Sequence, residues 1–181
     1  NIVHLEIGEP DFDTPPHIVE SARQALLDGW HHYTPSAGIP ELRAAIAEDI
    51  SKTRGIDVQP GEVVVTPGGK PIMFFSLLAL VEAGDEVIYP NPGFPIYESM
   101  IEYCGARAVP IPLREKLDFR LDVEELLGAI NSKTRLVILN SPSNPTGSVL
   151  SHEDLACLAK SLAERDVMIL SDEIYSRILY E

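Results

Sequence analysis

Short runs of consecutive apolar residues, separated by segments with helical spacing, are the feature that most constrains the fold of this chain. The clearest examples are residues 86–89, where Val87-Ile88-Tyr89 follow Glu86, and residues 136–139 and 167–170. Strands that are buried on both faces of a sheet have continuous apolar sequences, and helices between them are typical of parallel strands joined by crossovers. The sequence therefore predicts an α/β fold with three layers, αβα, around a mostly parallel sheet.

The remaining segments fit the same alternating pattern. Helical spacing is present over residues 18–27, 39–50, 123–130 and 151–164, and apolar helices are predicted after residues 69 and 94. Two further strands are predicted at the β-branched run 63–65 and at residues 107–110. Residues 1–16 have no such periodicity and are predicted to form an irregular arm.

Composition excludes several classes of protein. With 14 basic and 28 acidic residues the formal charge is −14, which disfavours nucleic acid and anionic membranes as partners. No apolar stretch approaches the length of a membrane-spanning helix. Cys104 and Cys157 are predicted to be small core residues, which fits a reducing cytoplasm. His31 and His32 lack a third ligand, so no metal site is predicted.

A glycine pair follows the run 63–65. In Thr66-Pro67-Gly68-Gly69-Lys70 the glycines permit close approach of a ligand, and the helix that follows offers free N–H groups and the positive end of its dipole. This segment is compatible with a phosphate site, and equally with a tight turn.

Polar residues follow two further strands. Asn144 lies between Pro142 and Pro145, which stiffen its loop; it would either face a ligand or satisfy its own turn. Asp172 directly follows a buried strand, so its carboxylate requires a cationic or proton-bearing partner, unless it caps a helix or forms a salt bridge. Tyr175 comes three residues later, and Phe94 follows another strand. In a parallel sheet these loops share one edge, and together they suit a planar, phosphorylated, nitrogen-containing ring.

Several segments of the chain occur in the order in which a known protein family has them. They are Gly8-Glu9-Pro10-Asp11-Phe12, Tyr33-Thr34-Pro35, Gly68-Gly69-Lys70, Asn144-Pro145-Thr146-Gly147 and Ser171-Asp172-Glu173-Ile174-Tyr175. With them the chain resembles the N-terminal part of the class I/II aminotransferases, the fold-type-I pyridoxal-5′-phosphate enzymes. The resemblance implies that residues 1–16 are an arm from the small domain. Residues 17–181 would be a partial large domain that binds the cofactor and stops before the catalytic lysine.

The resemblance also implies roles for single residues. Asp172 would face the pyridinium nitrogen, Asn144 and Tyr175 would donate to the ring 3′-oxygen, and Phe94 would stack on the ring. Gly69 and Lys70 would give backbone N–H groups to the phosphate. Tyr33 would cross a homodimer interface to the phosphate of the neighbouring subunit, and Gly8 would approach the substrate carboxylate. The remaining alternatives are a core position for Phe94, a loop position for Tyr33 and a simple turn at Gly8.

The imine-forming lysine of the family lies in a Ser-x-x-Lys-type segment that this sequence does not contain. The whole protein is expected to transfer an amino group from an amino acid to a 2-oxo acid, while the 181-residue chain alone is expected to be inactive and poorly stable. Two alternatives remain open. One is a carbon–sulfur β-lyase with the same cofactor, and the other is an aminotransferase-like domain of a transcription regulator.

Overall fold

The structure is a computed structural model that describes residues 2–3, 8–9 and 12–180. Other positions of the predicted arm, residues 1, 4–7, 10 and 11, lie outside the described residues. The chain divides into two compact units, Asn1–Val65 and Thr66–Glu181. The proposed boundary after residue 16 stays a prediction.

The first unit contains, in its described residues, two α-helices, α1 over Pro16–Leu27 and α2 over Pro40–Arg54, and a 3-10 turn at Pro60–Glu62. Each begins with a proline, whose fixed φ suits the first helical turn and whose missing N–H has no partner to lose there. α2 ends at Gly55, which adopts a left-handed conformation with φ of 68°. Both helices were predicted from their apolar spacing, and both are confirmed.

The prediction of a strand at residues 63–65 is wrong. The segment belongs to no sheet in the described part of the chain. Its backbone groups bind elsewhere: Val65 N–H donates to the Ala37 carbonyl at 2.9 Å, and Arg43 Nε donates to the Val63 carbonyl at 2.8 Å. A β-branched run favours extended backbone, but a strand also needs a neighbour to complete its hydrogen-bond ladder.

A four-stranded parallel sheet forms the centre of the second unit. Its strands lie in the order β2-β1-β3-β4. They are β1 over Glu86–Asn91, β2 over Arg107–Pro112, β3 over Thr134–Asn140 and β4 over Met168–Asp172. All three pairings are parallel, so all four carboxyl ends lie at one edge of the sheet.

Helices cover both faces of this sheet. On one face α3 (Gly69–Leu80) and α4 (Ile96–Tyr103) pack on alternate strand residues that include Val87 and Leu136. On the other face α5 (Val123–Ala129) and α6 (His152–Leu162) pack on Ile88 and Val137. Because neighbouring strand residues point to opposite faces, each continuous apolar strand supplies two cores. The predicted three-layer αβα architecture is confirmed.

Reciprocal hydrogen bonds between Ser151 and Asp154 cap the start of α6. Ser151 Oγ accepts from Asp154 N–H at 3.1 Å, and an Asp154 carboxylate oxygen accepts from Ser151 N–H at 2.9 Å. This reciprocal pair is a capping box, which satisfies two N–H groups at the helix start.

Burial is less complete than the sequence predicts at the edge strand β4. Met168 and Ile169 are each 43% exposed in the described chain. The predicted core position of Cys157 is wrong, because this residue lies on the exposed side of α6, and Cys104 is only half-buried at the end of α4. None of the helices in the described part of the chain combines the length and apolar character that a membrane crossing requires.

Adjacent leucines in α3 test the assignment of its core face. Leu77 is fully buried, whereas Leu78 is 48% exposed. We expect Leu77→Ala to lower the free energy of unfolding by about 2–5 kcal/mol, because it leaves a cavity, and Leu78→Ala to lower it by less than about 1 kcal/mol. Urea titration of both variants measures the difference. Equal losses would contradict the packing described here.

Candidate active site

A cavity of about 370 Å³ lies at the carboxyl ends of β3 and β4. Six residues singled out in the sequence line it: Gly69, Lys70, Phe94, Asn144, Asp172 and Tyr175. They come from four separate segments. Parallel pairing of β1, β3 and β4 brings Phe94, Asn144, Asp172 and Tyr175 to the same edge of the sheet. Gly69 and Lys70 begin α3, which packs on a face of that sheet.

The cavity lies near the point where the strand order reverses. After β1 the chain adds β2 on one side and then crosses to β3 on the other side. The loops after β1 and β3 therefore diverge, which opens a crevice outside the strand ends. Phe94 follows β1 and Asn144 follows β3, and both residues line the cavity.

The start of α3 forms one wall. Gly68 precedes the helix with φ of 92°, a conformation that L side chains rarely adopt. Among the residues that the structure describes, no side chain caps this helix, so its first N–H groups keep their hydrogen-bonding capacity. A Cβ added at Gly68 or Gly69 would meet no atom within 4 Å in the described part of the chain, so the space above these groups is open there. An anion would find both donors and a positive dipole end there.

Asp172 ends β4 and is half-buried. The sequence predicts a cationic or proton-bearing partner for its carboxylate, and the structure places the Tyr97 hydroxyl there, which donates to Asp172 Oδ2 at 2.5 Å. The other carboxylate oxygen, Oδ1, accepts from the Ile174 backbone N–H at 3.3 Å. The carboxylate is therefore held at both oxygens on the wall of the cavity.

Tyr97 lies in α4 and is fully buried. Burial, together with the hydrogen bond to the Asp172 carboxylate, holds the pKa of the Tyr97 hydroxyl well above its usual range. The hydroxyl consequently keeps its proton and acts as a donor throughout the neutral pH range.

Asn140 connects the two polar loops. Its Nδ2 donates to the Asp172 carbonyl at 3.1 Å, and its Oδ1 accepts from the Asn144 backbone N–H at 2.7 Å. Asn140 is buried, and in the strand register it lies opposite Asp172. One side chain thus fixes the loop of Asn144 relative to the end of β4.

Several cavity side chains keep unused hydrogen-bonding capacity. Within the described residues, neither the side-chain amide of Asn144 nor the Tyr175 hydroxyl has a hydrogen-bond partner. Both residues are half-buried. The Phe94 ring packs edge-on against Tyr97, with centroids 5.9 Å apart and an interplanar angle of 83°. This contact fixes the Phe94 ring at the cavity wall.

Gly8 and Tyr33, the two remaining predicted site residues, belong to the first unit. Gly8 is exposed, and a Cβ built on it would meet no atom of the described residues within 4 Å. The Tyr33 side chain is fully exposed. Their roles toward a substrate and a neighbouring subunit stay predictions.

Sequence reasoning missed Tyr97 and Asn140. Tyr97 fits the apolar spacing of α4, so nothing in its local sequence distinguishes it from a core aromatic. Asn140 is the first polar residue after the run 136–139, and a buried strand that ends in an amide was a usable signal.

Comparison with known proteins gives a consistent result. A family model for aminotransferase class I and II matches residues 1–181. The chain is 44% identical to an aspartate aminotransferase of Pyrococcus horikoshii, covering 100% of this chain and 46% of that protein.

Comparison with solved structures points to the same family. An aromatic aminotransferase from Pyrococcus horikoshii superposes with a TM-score of 0.93 at 43% identity, over 98% of this chain and 48% of that one. An aspartate aminotransferase from Thermus thermophilus with maleate gives a TM-score of 0.93 at 43% identity, over 97% of this chain and 46% of that one. The chain thus spans about half the length of these relatives.

Removal of the Asn140 side chain tests its connecting role. Asn140→Ala leaves the Asn144 N–H and the Asp172 carbonyl without their partner, so we expect a loss of about 2 kcal/mol in the free energy of unfolding. Asn91→Ala, at the exposed end of the neighbouring strand β1, is the matched control and should cost less than about 0.5 kcal/mol. Similar losses in the two variants would contradict the connecting role.

A second prediction concerns high pH. Tyr89 of β1 is buried, and this burial, with the nearby Glu98 carboxylate, raises its pKa to about 12. In the unfolded chain tyrosine ionises near pH 10, so above that pH the unfolded state releases the proton first and stability falls. Between pH 8 and 11 the free energy of unfolding should therefore decrease, and we expect Tyr89→Phe to make that decrease about 1 kcal/mol smaller in urea titrations.

The exposed residue Tyr103 provides the control for this measurement. Tyr103→Phe should keep the pH dependence of the unmodified protein. A Tyr89→Phe variant with that same dependence would show that the Tyr89 hydroxyl ionises equally in both states.

Proposed function

The chain belongs to the class I and II aminotransferases, and from that membership we propose that the whole protein transfers an amino group from an amino acid to a 2-oxo acid, with pyridoxal 5′-phosphate as its cofactor. The observation that supports this proposal is the convergence of six predicted residues on one cavity. The activity, the cofactor and the partners of the whole protein are parts of the same proposal.

The chemistry of the cavity fits this cofactor. The open α3 start suits a phosphate group, and the held carboxylate of Asp172 suits a protonated ring nitrogen. Two side chains with unused hydrogen-bonding groups, Asn144 and Tyr175, suit the ring 3′-oxygen. When bound, this cofactor supplies an electron sink for the carbanion that forms when a substrate loses its α-proton.

The backbone N–H groups of Gly69 and Lys70 would bind the phosphate. The formal charge of the chain is −14, so the overall field opposes an anion and the binding energy must come from local donors. The helix dipole and unpaired N–H groups at the α3 start supply such donors. The Lys70 side chain is exposed, so its ammonium group adds attraction that salt screens.

Asp172 would accept the ring N–H and keep that nitrogen protonated. Its carboxylate is already held by Tyr97 and Ile174, so it needs little reorganisation when a ligand binds. Asn144 and Tyr175 would orient the ring by donating to its 3′-oxygen, and Phe94 would cover one ring face.

We further propose a homodimer in which Tyr33 reaches the phosphate of the neighbouring subunit and Gly8 approaches the substrate carboxylate. Support comes from the first unit, where α1 buries none of its residues in the described chain and Tyr33 is fully exposed. Large exposed apolar side chains on and near α1 include Ile18, Val19, Leu26, Leu27 and Trp30. Such a surface is typical of an interface.

Acidic and aromatic amino acids are the first substrates to test, because the relatives include an aspartate aminotransferase and an aromatic aminotransferase, and one relative was solved with maleate. A cytoplasmic location is proposed on the two free cysteines, of which Cys157 is exposed.

The assay uses the whole protein with pyridoxal phosphate, an amino-acid donor and a 2-oxo acid acceptor. We expect yellow absorbance from bound cofactor and measurable amino transfer, both reduced in Asp172→Ala and Asn144→Ala. For Asp172→Ala the turnover should fall by about 10²–10³-fold, similar to the loss of other preorganised electrostatic partners. Asp57→Asn, an exposed change in the first unit, should be without effect.

Two outcomes would redirect the proposal. Release of pyruvate from cystathionine without any 2-oxo acid would favour the carbon–sulfur β-lyase, and retention on duplex DNA would favour the transcription regulator. Absence of both cofactor absorbance and amino transfer would contradict the proposed function.

A further inference from the structure

One hydrogen bond links the core helix α4 to the cavity. The Tyr97 hydroxyl donates to Asp172 Oδ2 at 2.5 Å, across 75 residues of sequence. Tyr97 itself lines the cavity while being fully buried in the core between α4 and the sheet. A phenol in such a place is costly unless its hydroxyl has a partner, and the Asp172 carboxylate provides one.

The geometry leaves the carboxylate little freedom. Oδ2 accepts from Tyr97 and Oδ1 accepts from Ile174 N–H, so rotation of the carboxylate would break at least one of these bonds. Each oxygen still has a second lone pair for a ligand in the cavity. The bond from Tyr97 is the shorter of the two, and hydrogen bonds to ionised groups are among the strongest in proteins.

We propose that Tyr97 is a positioning residue, which holds the Asp172 carboxylate in the orientation that receives the ring nitrogen of the bound cofactor. The inference rests on the proposed function, because Tyr97 acts only through Asp172 on that nitrogen. The contribution of Tyr97 to the affinity for the cofactor should therefore depend on the presence of the ring nitrogen.

Tyr89 provides a matched control. It is also a buried tyrosine of the second unit, one that packs in the same core cluster as Tyr97. Its hydroxyl lies near the Glu98 carboxylate instead of Asp172. Removal of either hydroxyl therefore perturbs the same core, whereas only removal of the Tyr97 hydroxyl takes a hydrogen bond from Asp172.

The experiment measures the dissociation constants of two probes for the apo form of the whole protein. The probes are pyridoxal phosphate and 1-deazapyridoxal phosphate, in which a C–H replaces the ring nitrogen. We expect Tyr97→Phe to weaken the binding of pyridoxal phosphate about 5–10-fold, the effect of a lost hydrogen bond. The same variant should change the affinity for the deaza probe less than about twofold. Tyr89→Phe should change neither affinity by more than about twofold.

A second background separates positioning from packing. In the presence of Asp172→Asn, Tyr97→Phe should no longer discriminate between the two probes, since the carboxylate through which it acts is gone. Equal weakening of both probes by Tyr97→Phe, or no weakening of either, would overturn the inference while the proposed function stands. Failure of the unmodified protein to bind pyridoxal phosphate would overturn the proposed function and the inference with it.

Discussion

The register of β3 and β4 places Asn140 opposite Asp172, and the candidate site depends on this pairing. Parallel strands end at the same edge, so the polar residues that follow two apolar strands meet there instead of being spread over the surface. Asn140 then binds the Asp172 carbonyl and the Asn144 N–H, and Tyr97 binds the Asp172 carboxylate. A shift of one residue in this register would turn these side chains to opposite faces of the sheet and separate them.

The candidate site can attract an anion although the chain as a whole is strongly negative. A protein with a formal charge of −14 does not attract an anionic ligand by its long-range field. Local groups have to supply the attraction, and the uncapped start of α3 offers them within the range where a helix dipole is effective. The Asp172 carboxylate lines the same cavity. The cavity thus offers both the positive end of a helix dipole and a carboxylate, which suits a ligand that bears an anionic group and a protonated ring.

Much of this arrangement was predictable from sequence, and the failures have identifiable causes. Strands β1 and β3 and the three-layer architecture follow from continuous apolar runs, because burial on both faces removes the alternation of polar residues. The edge strand β4 has such a run too, although Met168 and Ile169 are partly exposed. The segment 63–65 has the same local pattern, yet its hydrogen bonds go to Ala37 and Arg43, and a local pattern does not encode a partner. Tyr97 escaped notice for a related reason. Its contact with Asp172 spans 75 residues and exists only once α4 packs on the sheet.

The most direct test of the account is an experimental structure of the whole protein with pyridoxal phosphate bound. We expect the ring nitrogen within about 2.6–3.2 Å of an Asp172 carboxylate oxygen and the phosphate on the backbone N–H groups of Gly69 and Lys70. A cofactor bound elsewhere, or one whose ring nitrogen faces away from Asp172, would contradict it.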